Sequence, residues 1–153
     1  QKMFYYKFNL CYENNFWYGT KACKKKDLLS PQWLRNIKTK KYSIFRLDLL
    51  FSKKKYSDIF FVKNGGWHFT YLKKPQELEK KLLNFAHHYE FEKSGLDIND
   101  IKKFMEERRV IYEHNIDQKS FKWSGKSKLT KIDNSKLPNY IKLNSNLFKE
   151  WLA

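Results

Sequence analysis

Cysteine, proline, glycine and arginine are all scarce in this 153-residue chain, and each scarcity removes a class of protein. Cys11 and Cys23 are the only thiols and lack the Cys-x-x-Cys spacing of a zinc or redox centre. By number they allow one disulfide, but two reduced thiols in a reducing compartment is the expectation. No apolar run is long enough to span a bilayer, and no basic-apolar-small leader pattern occurs. No Gly-x-Ser-x-Gly elbow is present, and neither cysteine adjoins a base, which removes the common serine and cysteine hydrolases. Ser124-Gly125-Lys126-Ser127 is only the tail of a Walker loop, without its first glycine or a strand feeding it. Asp27, Asp48, Asp58, Asp97, Asp100, Asp117 and Asp133 never stand two apart, so an Asp-x-Asp metal pair is missing. Only Arg35, Arg46, Arg108 and Arg109 carry the planar fork favoured for base readout and bidentate phosphate clamps.

What remains is lysine and aromatic side chains. The net charge is +16, with 41% apolar and 18% aromatic residues, too apolar for a disordered tail and enough for a buried core. The lysine excess comes with abundant Asn, Ile, Phe and Tyr and three alanines, the joint bias of an A/T-rich coding sequence. We read the charge as solvated surface with background steering of anions, and expect no specific nucleic-acid target. Gln1 opens what reads as a strand already under way, so sequence before it is expected.

The fold class expected is α/β over a single unit, residues 1–153. Met3–Leu10 reads as a strand with Phe4, Tyr6, Phe8 and Leu10 on one face, and Asn14-Asn15 as a turn. Ser30-Pro31 starts a short helix. Asp58–Lys63, with Ile59, Phe60, Phe61 and Val62 in succession, reads as a buried strand. Gly65-Gly66 turns the chain into a short strand over Trp67–Leu72. Alternation there puts His68 and Thr70 on one face and Trp67, Phe69 and Tyr71 on the other. A helix opens at Pro75 and runs to His87-His88-Tyr89-Glu90, burying Leu78, Leu82, Phe85 and Tyr89. In that position a helix dipole would favour imidazolium at its last turn. Asp97 caps a further helix that buries Ile98, Ile101, Phe104 and Met105. Val110–Tyr112 reads as a short strand, and Leu137–Trp151 as an amphipathic close. For His68, a core histidine at a strand end and a metal or phosphate ligand are both open readings.

Several segments together carry a family resemblance. Gly66-Trp67-His68-Phe69, then Pro75-Gln76-Glu77-Leu78 and Lys81-Leu82, resemble glycosyltransferase family 17, known for β-1,4-mannosyl-glycoprotein N-acetylglucosaminyltransferase activity. Trp17–Ala22, the Leu34-Arg35 pair, Leu96–Ile101 and Leu137–Ile141 are similar to other segments of that family. The resemblance implies the C-terminal part of a GT-A-like nucleotide-sugar fold, a mixed sheet flanked by helices, with the acidic segment lying before Gln1. It implies inverting transfer of N-acetylglucosamine or a related sugar from a UDP-sugar to a glycan acceptor, assisted by Mn²⁺ or Mg²⁺. It places His68 on the metal or the donor diphosphate, Trp67 over the sugar pocket, and Glu90 as the carboxylate near the acceptor. Lys21, Arg35 and Arg46 would neutralise phosphate. The expected location is the cytoplasm of a bacterium, peripheral to the inner membrane, or a Golgi membrane in a eukaryote. The competing reading is a non-catalytic, lysine-rich module that binds an anionic polymer, nucleic acid or surface polysaccharide, with steep salt dependence. A third is peripheral membrane attachment through the lysine clusters.

Overall fold

The computed structural model describes residues 1–40, 43, 45–49, 51–52, 59–85, 88–114 and 121–153. Asp58 and His87, both named above, lie outside the described residues. The protein is mixed α/β, and its contacts divide it into two compact units where the sequence suggested one. The first comprises Gln1–Trp17 and Gly66–Ala153; the second is Tyr18–Gly65.

The first unit is built on a four-stranded sheet. Its strands are β1 (Lys2–Tyr5), β2 (Leu10–Phe16), β3 (Trp67–Thr70) and β4 (Thr130–Lys131), in the order β3-β1-β2-β4. β1 pairs parallel to β3 and antiparallel to β2, and β2 pairs antiparallel to β4. Met3, Phe4 and Tyr5 are all buried, so β1 shows no alternation: it is central and both its faces are covered. Phe4 meets Phe69 on one face at 5.3 Å between ring centroids, and Phe69 meets Phe8 at 5.1 Å. On the other face Met3 and Tyr5 join a core with Leu78, Leu82, Phe91 and Ile101.

The strand expected over Met3–Leu10 is broken in two. Tyr6 takes φ 63°, and its buried hydroxyl donates to Arg109 O at 2.9 Å while accepting from Ile111 N at 3.1 Å. Those two bonds hold a conformation that costs a non-glycine residue about 1 kcal/mol or more. The chain turns there, and Asn14-Asn15, expected as a turn, lies inside β2. Asn15 is buried, and β2 is bulged against β1 between the Lys2 and Met3 positions.

The long helix expected from Pro75 is two helices. α2 spans Pro75–Leu83 and buries Leu78 and Leu82, and α3 spans His88–Ser94 and buries Phe91. Numbering counts α1 as Pro31–Asn36 of the second unit. Asn84 caps α2 and donates from its side chain to Lys80 O, ending the repeat. Phe85 and Tyr89, expected to be buried, are therefore exposed. α4 (Ile98–Glu106) begins as expected at Asp97, whose carboxylate accepts from Asn99 N and Asp100 N. A C-terminal helix, α5 (Asn139–Leu143), buries Ile141. The Val110–Tyr112 stretch is not a strand. It is an extended loop, with Val110 N donating to Ser127 O and Leu129 N to Arg108 O.

In the second unit, Ser30 Oγ accepts from Trp33 N at 3.0 Å and starts α1, as its sequence implies. The buried strand expected over Asp58–Lys63 does not form among its described residues: Phe60 is 87% exposed and Val62 is also exposed. Four consecutive apolar residues promised burial, but among the described residues no strand pairs with them.

One packing contact gives a sharp test of the first unit. Gly125 takes φ +59°, and a Cβ there would lie 2.4 Å from the Phe104 ring. Gly125→Ala should therefore cost about 3 kcal/mol through strain and overpacking, read by urea unfolding. A loss under about 1 kcal/mol would mean that the loop relaxes freely around Phe104.

Candidate functional site

The geometry of the site starts from the parallel pairing of β1 and β3. Gly66, at φ 126°, accepts from Lys2 N, and the register then sets Met3 opposite His68 and Tyr5 opposite Thr70. Because alternate residues share a face, His68 lies on the same side as Tyr5, toward the helices. Trp67 lies on the reverse side and its indole donates to Lys136 O at 3.1 Å. The ring that stacks on His68 is Trp17, with centroids 3.9 Å apart and planes inclined at 39°. Trp67, which the resemblance places over the sugar pocket, lies on the face opposite His68, as alternation along the strand implies. His68 is half-buried, between the core histidine and the open ligand of the two sequence readings.

Cations and tyrosines gather around this imidazole. Lys81 Nζ lies 4.9 Å from the centroid of Tyr71, whose ring is 5.5 Å from that of Tyr5. Tyr112 meets His114 at 4.9 Å and carries Lys122 Nζ at 5.6 Å. Burial, then the charge of Lys81, pushes the His68 pKa below its usual value. His114 is lowered by burial, by Lys122 and by His68, against a smaller raising effect of Glu113. Lys81 is itself lowered, first by burial and then by Lys73. Burial, reinforced by Tyr112, pushes the Tyr71 phenol up to about 12. Burial and lysine charge thus favour the neutral form of both His68 and His114.

Below this cluster sits a buried carboxylate that sequence inspection passed over. Glu113 is fully buried and accepts from Ser127 N at 2.7 Å, Ser127 Oγ at 2.7 Å and Tyr12 OH at 3.1 Å. These bonds tie the Ser124–Ser127 loop to β2, so the Ser127 donors of the Walker-like tail are already engaged.

The other expected residues are placed as follows. Glu90 is exposed in the first turn of α3. His88 opens α3 rather than closing a helix as expected, with its Nδ1 3.1 Å from Phe85 O. Lys21, Arg35 and Arg46 belong to the second unit. Lys21 Nζ donates to Arg35 O at 2.6 Å and to Ile37 O, satisfying carbonyls at the end of α1. Arg35 is exposed, and Arg46 makes a bidentate pair with Asp48 at 2.7 and 3.0 Å. Cys11 is buried and Cys23 exposed, both as free thiols.

Among the described residues no group of three or more His, Cys, Asp or Glu side chains could hold a metal ion. His68 is a single ligand with lysine as its strongest charged neighbour, so the described residues around it do not form a cation cage. Among the described residues no helix is long and apolar enough to cross a membrane. No family model, curated protein or solved structure matches the chain.

The two depressed imidazoles fix a pH dependence. As pH falls through about 6.5, the unfolded chain takes up protons that His68 and His114 in the folded chain refuse. Stability should therefore decline between about pH 7.5 and 5.5, and the slope should flatten in a His68→Gln/His114→Gln double variant. Unfolding midpoints measured across that range at constant ionic strength check this. An unchanged slope in the double variant would contradict the depressed pKa values.

Proposed function

We propose that the protein is a glycosyltransferase related to family 17, moving N-acetylglucosamine or a similar sugar from a UDP-sugar to a glycan acceptor. In this reading the chain supplies part of a GT-A-like catalytic domain. The observation that carries it is the position of His68, within the Gly66–Phe69 block of the resemblance. The imidazole is stacked on Trp17 and lies in the field of Lys81, which belongs to the second block of the same resemblance. A neutral imidazole that gains a proton when an anion arrives, next to an ammonium already depressed by its neighbours, suits the charge that builds on a departing diphosphate.

The residues divide the work accordingly. His68 and Lys81 stabilise the leaving UDP, and the Trp17 face orients the imidazole. Glu90, exposed in the first turn of α3, is assigned to the acceptor proton as general base. Lys21, Arg35 and Arg46 are the residues that the family resemblance assigns to phosphate neutralisation. Inversion follows from direct attack of the acceptor oxygen on the anomeric carbon as UDP departs. No step is assigned to a divalent metal, because the described residues around His68 offer it no ligand set.

The decisive assay is UDP release from UDP-N-acetylglucosamine, with calorimetric donor binding measured on the same samples in the presence of Mn²⁺. His68→Ala should lower turnover by about 100-fold or more, and Lys81→Met should weaken donor binding about ten-fold. Glu90→Ala should lower transfer while leaving donor binding intact. Unchanged turnover and binding in His68→Ala would remove the reading.

A further inference from the structure

The C-terminal segment of the first unit carries a surface that neither the core nor the proposed reaction uses. Tyr140, Leu143 and Leu147 are 67%, 84% and 73% exposed, on α5 and the turns that follow it. The opposite side of the same segment is firmly held. Ile141 is buried, Phe148 packs on Phe8 at 5.3 Å, and Phe8 N donates to Trp151 O at 2.8 Å. Asn9 completes the attachment by accepting from Ala153 N and donating to Ala153 O. These leucines are therefore displayed outward by an anchored element, at a standing cost in exposed apolar area.

The charge around them has one sign. Lys136, Lys142 and Lys149 accompany the apolar residues, and from Asn134 to Ala153 the one acidic residue is Glu150, whose carboxylate lies 3.1 Å from Lys74 Nζ. At the start of the segment the Trp67 indole, 42% exposed, is fixed by its bond to Lys136 O. Outward leucines, an indole and a phenol, with lysines beside them, are the composition of surfaces that lie in the headgroup layer of a bilayer.

We propose that this segment docks the protein peripherally on an anionic lipid surface. Leu143 and Leu147 enter the acyl boundary, Trp67 and Tyr140 sit at headgroup level, and the three lysines contact lipid phosphates. The same lysines would attract nucleic acid, but the leucines would contribute nothing to that binding.

The test is co-sedimentation of the intact protein with vesicles of phosphatidylcholine containing about one-third phosphatidylglycerol, against pure phosphatidylcholine and a single-stranded oligonucleotide. Leu143→Asp/Leu147→Asp and Lys142→Gln/Lys149→Gln are compared with the parent after circular dichroism and melting confirm an unchanged fold. The parent should bind the anionic vesicles and leave pure phosphatidylcholine unbound, and each double variant should lower partitioning about ten-fold. The proposal is overturned if the parent stays in the supernatant or binds both vesicle types equally. It is also overturned if the leucine pair can be replaced without loss, whether or not the oligonucleotide binds.

Discussion

The parallel pairing of Met3–Tyr5 with His68–Thr70 is the constraint on which the first unit rests. It joins two stretches of chain separated by the whole second unit, so its ordering entropy has to be offset by burial. The aromatic residues of β1 provide that burial on both faces, through Phe4 on one and Tyr5 on the other. Edge and tilted ring contacts of this type contribute about 1 kcal/mol apiece beyond their buried area. The same pairing determines which side of the sheet His68 occupies. A register slip of one residue would exchange His68 with Trp67 and turn the imidazole away from Lys81 and Tyr71.

Around that pairing the buried polar groups act as fasteners. The Tyr6 hydroxyl links the turn after β1 to the backbone of Arg109 and Ile111. Glu113 links β2 to the Ser124–Ser127 loop. The Asn9 amide links the β1–β2 turn to Asn134 and Ala153. Each spans more than 100 residues or joins an irregular loop, where neither helix nor ladder could satisfy the backbone.

Local chemistry was legible in the sequence wherever one residue decides the outcome. Ser30-Pro31, Pro75 and Asp97 start helices because capping and a preset φ act within a single turn. The positive φ at Gly66 and the face of His68 also followed from residue type and alternation. What could not be read were the effects of distant partners. Tyr6 breaks a strand because of Arg109 and Ile111, and Phe60 is exposed where no strand among the described residues pairs with it. In the site, Trp17 rather than Trp67 meets His68, which only the β1–β3 register and its flanks decide. Lys81, exposed on α2, and His114 are coupled to His68 by charge because tertiary packing brings distant stretches of chain together.

The central claim is that His68 stands in a positive field awaiting a phosphate-bearing anion. Nuclear magnetic resonance titration of the His68 ring, with and without UDP, tests it most directly. The account predicts a pKa below the ordinary histidine value in the free protein, rising when UDP binds, because the anion favours imidazolium. A His68 pKa that is the same with saturating UDP would contradict it.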